Sequence, residues 1–381
     1  MRMLMRHMIW LMGGFLLLLT SCASGDKVEE EPAVLKIYVY TPDKPIVTRN
    51  IGETDAMEDE AKINDLHIWV FNNYDGKLIG YLEDTGDVLD DGLPLTMNVK
   101  SDFIETTHEV DVYVLANDDR FSATATRSQL DAALVDGFGV SSLKSNVPDG
   151  GLPMSGVIKK QEIWGQAPVF SIGNNNTLAT VKLVRSVSKV RFVFTSVDEG
   201  HHVDRITFDA ATMPTEEYLF LKNNYNVNGG SGTKYNVGST YNSQEIEMYV
   251  QPSPETPTTI PVCSVAPSFY SYDDQTGDNY EQLINGGLTN IPDGKNHPDL
   301  TLVAGYYLTE SNKKITGKIT YDGDHTKNFE MSDLGDFARN HTWIIYAYFV
   351  AAGELEVSTV SVKPWIMDWE DKTGSHSVYN W

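Results

Sequence analysis

Cys22 is the residue whose surroundings prescribe a reaction. It closes Leu19-Thr20-Ser21-Cys22, behind a basic start (Arg2, Arg6, His7) and an apolar run from Ile9 to Leu19 broken only by Gly13 and Gly14. The run is too short to span a bilayer comfortably, so residues 1–21 read as a secretory signal. Cysteine at the cleavage point matches a bacterial lipobox. The expected chemistry is acylation of the Cys22 thiol, with Cys22 becoming the lipid-bearing N-terminus. An ordinary signal peptide that happens to carry a cysteine is the alternative.

Other residues of chemical type form weaker sets. His201-His202 with Asp204 contains metal-ligand types, but neighbours on a strand point to opposite faces, so a loop histidine pair is the better reading. Asp273-Asp274-Gln275-Thr276-Gly277-Asp278-Asn279 has the composition of a calcium loop without EF-hand spacing or its distal Glu, and reads as a solvated turn. Cys263, in Pro-Val-Cys-Ser-Val, reads as a buried strand cysteine. With Cys22 acylated, it leaves no disulfide framework. No hydrolase elbow, zincin motif, phosphate loop or dinucleotide fingerprint occurs. The expectation is a protein that is not an enzyme, with no cofactor and no metal.

Charge narrows the partners. The chain of 381 residues has 29 basic and 53 acidic side chains, net −24. Loss of residues 1–21 removes two arginines and no acid, taking this to −26. Such a surface repels phosphate backbones, so nucleic acid is not an expected partner.

The elements that must position these residues are mostly strands. Residues 22–33 are an acidic, unpatterned tether. Leu35, Ile37 and Val39 then alternate with Lys36, Tyr38 and Tyr40. Residues 41–62, with two prolines, a glycine and many acids, read as an exposed loop. A hairpin follows: Ile63 to Asn72, the turn Tyr74-Asp75-Gly76-Lys77, then Leu78 to Leu82. Val110 to Asn117 is apolar on both faces and suggests a central strand. Ser128 to Val135 is the best helix candidate, with Leu130, Ala133 and Leu134 at helical spacing. Residues 136–165 look like loop, and Val181 to Thr195 is one long β-branched stretch. Further strand candidates are Arg205 to Phe208, Glu245 to Val250, Thr258 to Val265, Leu300 to Leu308, Lys314 to Tyr321, Trp343 to Phe349 and Leu355 to Val362. Short strands at this spacing with few helices predict a mainly β chain of sandwiches, divided near residue 185 into 34–185 and 186–381.

Several segments, in order, resemble the fimbrillin superfamily of Bacteroidales, whose members build type V pili. The resemblance is carried by Cys22 and its tether, by Thr48-Arg49-Asn50, and by Ile63 to Phe71 with the Asp75-Gly76 turn. It continues through Val112-Tyr113-Val114-Leu115-Ala116-Asn117, Arg185 and Lys189 in an R-x-x-x-K strand, Arg339-Asn340-His341-Thr342-Trp343, and Val362-Lys363-Pro364-Trp365. Residues 200–300 carry little of it.

The resemblance implies two transthyretin-like β-sandwich domains in tandem and a lipidated precursor sent to the outer membrane. An Arg-specific protease would cut between Arg49 and Asn50 and remove the first strand, with Val34, Leu35, Ile37 and Val39. A neighbour's strand would fill the gap. The donor would come from the C-terminal segment after Trp365, or from the alternating run before it with Val357, Val360 and Val362. Partners are then other pilus subunits, the outer membrane through lipid before cleavage, and a host or bacterial surface receptor. Stalk, tip and anchor positions stay open, and anchor or tip subunits need not be cut. A lipid-anchored glycan- or ligand-binding protein using Trp164 or Trp369 is the first alternative. A secreted hydrolase with a non-motif active site is the second.

Overall fold

Alternation along the strands decides the architecture. In the computed structural model, described for residues 33–40, 60, 62–85, 94–99, 107–138, 147–196, 198–222, 237–250, 260, 302–330, 339, 342–350 and 354–358, the chain is mainly β. The first ten strands are β1 (Ala33–Tyr40), β2 (Leu66–Asn72), β3 (Leu78–Asp84), β4 (Leu95–Val99), β5 (Glu109–Ala116), β6 (Met154–Gln166), β7 (Val169–Asn174), β8 (Thr177–Leu178), β9 (Thr180–Lys182) and β10 (Val184–Arg185). They pair in the order β3-β2-β5-β6-β7-β1-β4, with β10 on β6, β8 on β7 and β9 on β1.

One strand folds this path into two layers. β6 pairs with β5 along most of its length and with β7 over Glu162 to Gln166. Within the β5-paired stretch, just before the β7 pairing begins at Glu162, Lys160 takes φ 53° and the β5 register shifts between Val110 and Val112. Such a bulge bends a strand and increases its twist. The layers then close on one core: Leu66, Ile68 and Val70 from β2, Val110, Val112 and Val114 from β5, facing Leu35 and Ile37 of β1 and Leu95, Met97 and Val99 of β4. At Gly80 in β3 a Cβ would come within 2.7 Å of the Met97 sulfur and 2.9 Å of a Val99 methyl, so a larger residue there requires those β4 side chains to shift.

Among the described residues, the second unit is a sandwich of two four-stranded sheets. Its strands are β11 (Ser188–Ser196), β12 (Val203–Phe208), β13 (Ile246–Val250), β14 (Leu302–Leu308), β15 (Thr316–Tyr321), β16 (His325–Glu330), β17 (Thr342–Val350) and β18 (Glu354–Ser358). The sheets run β14-β11-β17-β18 and β13-β12-β15-β16. Aromatic side chains fill the space between them. Phe192 of β11 meets Phe208 and Phe329 of the other sheet at 6.0 and 5.5 Å, and Phe349 of β17 meets Tyr321 edge-on at 5.1 Å. Aromatic pairs at such angles and distances add to simple burial.

Some expectations need correction. Residues 136–165 are not all loop, because β6 occupies 154–166; its central stretch from Ile158 to Ile163 carries polar residues on its half-exposed faces, which hid the alternation. The stretch 181–195 is three strands rather than one, since β9 joins β1, β10 joins β6 and β11 starts the second sandwich. The helix α1 spans Arg127–Asp131, earlier and shorter than 128–135. A capping box sets its start: the Thr126 hydroxyl accepts from Gln129 N at 3.3 Å, and the Gln129 side chain accepts from Thr126 N at 2.8 Å. Thr258 to Val265 lies outside the described residues apart from Ile260.

Candidate functional site

The place of β1 is the feature with chemical consequence. It lies inside its layer, not at an edge. On one side it pairs antiparallel with β4, Ala33↔Val99 to Ile37↔Leu95. On the other it runs parallel to β7 over Val34 to Lys36 and to β9 over Tyr38 to Tyr40. Val34 N donates to the Pro168 carbonyl at 2.7 Å and Tyr38 N to the Ala179 carbonyl at 3.1 Å. Its inward residues are fully buried: Ala33 is 1%, Leu35 0% and Ile37 0% exposed. Val39 packs at the rim of the same core. Val34 is on the outer, half-buried face beside Val169, so it is not one of the side chains that fill the core. The slot thus takes a small residue, then two large aliphatic ones, at alternate positions.

Several residues that carried the resemblance become polar supports that tie separate segments of the chain together. Asn117 ends β5 with φ 60°, a conformation that asparagine tolerates better than most residues. Its side chain accepts from Asn64 N at 2.8 Å and donates to the Lys62 and Leu152 carbonyls at 2.7 and 2.8 Å. A Cβ on the neighbouring Gly151 would stand 2.4 Å from that amide, so Gly151 has to be glycine.

Lys189 and Arg185 converge on Glu60, which sequence placed in an exposed loop. Glu60 is instead buried, 3% exposed. Its carboxylate accepts from Lys189 Nζ and the Tyr307 hydroxyl, each at 2.6 Å, and its carbonyl accepts from Arg185 Nε at 2.8 Å. Burial by itself would push the Glu60 carboxyl up. Lys189, Arg185 and the two hydrogen bonds outweigh it and hold the carboxyl below the ordinary glutamate value of 4.5. Burial pulls the Arg185 guanidinium down to about 9, against the pull of Glu60, so it stays charged at neutral pH.

Arg339 forms the second support. It is 1% exposed and lies against two buried carboxylates, Glu217 at 2.8 Å and Glu310 at 3.3 Å. It also donates to the Leu219 and Tyr218 carbonyls at 2.9 and 2.5 Å. The Leu219 carbonyl accepts from Ser155 and Ser186 as well, at 2.6 and 3.2 Å. Residues 217–220 are in this way held against the first sheet, where Phe220 meets Tyr113 edge-on at 5.2 Å. Burial pushes the Glu217 carboxyl well above its ordinary range; Glu310 adds to this and Arg339 opposes it.

Sequence reasoning missed Glu60, Glu217 and Glu310, for acids in an acidic chain read as solvated. The remaining expected sites divide plainly. Val357 lies in β18 opposite Ala347. Cys22, Arg49, Asn50, Val360, Val362, Trp365, Cys263, Asp273 to Asn279 and Trp369 lie outside the described residues. His201 and His202 both face Asp322, at 2.6 and 3.4 Å, and His202 also faces Asp204 at 3.1 Å. Among the described residues no group of three or more His, Cys, Asp or Glu is arranged to hold a metal ion.

Two solved structures overlie most of the chain at low identity. The tip fimbrial protein Mfa3 from Porphyromonas gingivalis is 11% identical, with 86% of this chain and 98% of that one covered and a TM-score of 0.45. A FimA fimbrillin from Porphyromonas gingivalis is 12% identical, with 84% and 91% covered and a TM-score of 0.43. No similarity to a curated protein is found. Residues 46–202 match the family described as major fimbrial subunit protein (FimA). That stretch, which holds β2 to β11, is what this chain shares with the major fimbrial subunit protein family.

Proposed function

We propose that this chain is a non-enzymatic subunit of a cell-surface pilus, assembled by strand exchange at the β1 slot. The observation that supports it most is the position of β1 inside its layer. Removing β1 would leave β4 on one side and β7 with β9 on the other with unpaired backbone groups, over an open apolar core. A supplied strand satisfies both needs at once. The family match begins at residue 46, three residues before Arg49, and does not include β1. In this reading cleavage after Arg49 releases β1 and its lipid-bearing N-terminus. The replacement comes from a neighbour's C-terminal segment. Since Val357 is paired within its own sheet, that donor lies beyond Ser358, where Val360 and Val362 have the alternate spacing and Pro364 ends the pairing. The subunits are exported as lipoproteins through Cys22 and displayed at the surface, where a host or bacterial receptor is their external partner.

Arg49→Ala tests the reading. Wild type treated with an Arg-specific protease is expected to yield a chain beginning at Asn50 and to form polymer ladders on unboiled denaturing gels. Arg49→Ala is expected to stay monomeric with β1 in place. Equal assembly of both forms excludes a cleaved stalk subunit and favours an anchor, a tip or a glycan-binding lipoprotein. The lipid step is separable: metabolic labelling with a fatty acid marks wild type and not Cys22→Ala.

A further inference from the structure

We infer that Glu60 is a positioning residue for the processing segment, fixing its downstream end so that a cut at Arg49 frees β1 without loosening β2; this rests on the reading that the segment is cut. The segment from residue 41 to 59 runs between two anchors. Upstream, β1 is paired on both sides. Downstream, the Glu60 carboxylate is buried against Lys189 of β11 and Tyr307 of β14, while its carbonyl accepts from Arg185 of β10. Two residues further on, the Lys62 carbonyl accepts from Asn117, and then Asn64 N donates to Asn117. Among the described residues, Glu60 is the first after the cut, and it is tied to strands of both sandwiches. A carboxylate buried at this depth among two cations and a phenol does not leave its place without leaving those cations in a dry interior.

The consequence is directional. Cleavage at Arg49 separates β1 covalently from everything that Glu60 holds. The new N-terminus, Asn50, is ten residues ahead of Glu60 and stays within roughly 35 Å of it. Fraying of the cut end stops at Glu60, so β2, whose Leu66 and Ile68 line the core below the slot, keeps its register while the slot is empty. Without Glu60 fraying would run on to Lys62 and into β2.

Limited trypsin digestion reads this on the full chain, because Arg49, Lys62 and Lys77 are successive basic sites on either side of Glu60 and in the exposed hairpin. Wild type is expected to give fragments beginning at Asn50 and few beginning at Ile63. In Glu60→Ala, cutting after Lys62 is expected to rise about tenfold or more relative to cutting after Lys77, since local opening is governed by the contacts it breaks. Tyr307→Phe, which removes one hydrogen bond to Glu60 and no charge, gives a smaller rise in the same ratio. An unchanged ratio in Glu60→Ala overturns the inference. So does an equal rise at Lys62 and Lys77, which makes Glu60 a support of the whole fold rather than of this segment. Absence of any fragment beginning at Asn50 defeats the processing reading instead, while the Lys62 to Lys77 ratio still reports what Glu60 holds.

Discussion

Replacing Arg339 with Met is expected to cost about 3–5 kcal/mol, the usual result of removing one partner from a buried ion pair. The Glu217 and Glu310 carboxylates are both 0% exposed and lose the guanidinium that lies between them. Two main-chain carbonyls, Tyr218 and Leu219, lose their arginine donors at the same time. Against a total stability of about 5–15 kcal/mol this is a large fraction. At roughly 2–4 °C per kcal/mol for a unit of this size, the melting temperature falls by roughly 6–20 °C. Thermal unfolding followed by circular dichroism measures it, and a shift under a few degrees would show that Arg339 is not holding residues 217–220 in place.

The same cluster has a pH signature. The folded Glu217 carboxyl lies well above its ordinary value of 4.5. Above that pH the folded state keeps a proton that the unfolded state has lost, so this group's contribution to stability falls as pH rises, until Glu217 itself titrates. Glu60 has the opposite sign. Its folded carboxyl lies below 4.5, so its contribution is present above that value and is lost as pH falls. Glu217→Gln, which keeps the hydrogen-bonding shape without the charge, is expected to flatten the decline in stability as pH rises above the ordinary value of 4.5. A decline as steep as that of wild type would assign it to other groups.

The second large effect lies in β1. Leu35→Ala and Ile37→Ala each remove a fully buried aliphatic side chain and leave a cavity, at a cost of about 2–5 kcal/mol apiece. The two are neighbours in one slot, so the double variant need not equal the sum. Val34→Ala, on the outer face, is expected to change stability much less. The contrast separates a strand held by its core face from one held by hydrogen bonds alone. In the proposed assembly the pair has a further effect: after cleavage, β1 carrying both substitutions is lost faster, because less apolar surface holds it. Release of the cleaved N-terminal peptide, followed by size-exclusion chromatography against time, is the measurement. Release as slow as that of wild type would mean that β1 leaves by some route other than undocking from this core.

How much of this was legible beforehand depends on the range over which each feature is encoded. Local signals read well. The period-two alternation of Leu35, Ile37 and Val39 marked β1 and its inner face, and Asp75-Gly76 marked the first hairpin, where Gly76 takes φ 70°. The apolar content of Val110 to Ala116 marked the central strand β5, which pairs on both sides. The mainly β class and the absence of any recognised catalytic motif followed from the same kind of evidence. These features need only a residue and its near neighbours, since burial on one face imposes the period.

The tertiary structure alone decided three things. It placed β1 between β4 and the β7–β9 pair, a neighbourhood assembled from segments up to about 140 residues apart in the chain. It turned β6 from apparent loop into the strand that joins two layers, because a bulge at Lys160 breaks the alternation that pattern reading needs. And it buried Glu60, Glu217 and Glu310. An acidic side chain in an acidic sequence looks solvated; what makes it a core residue is a cation that arrives from elsewhere, Lys189 from 129 positions away for Glu60 and Arg339 from 29 for Glu310. Charge pairing of that kind has no period and no local pattern, so only the folded chain reveals it.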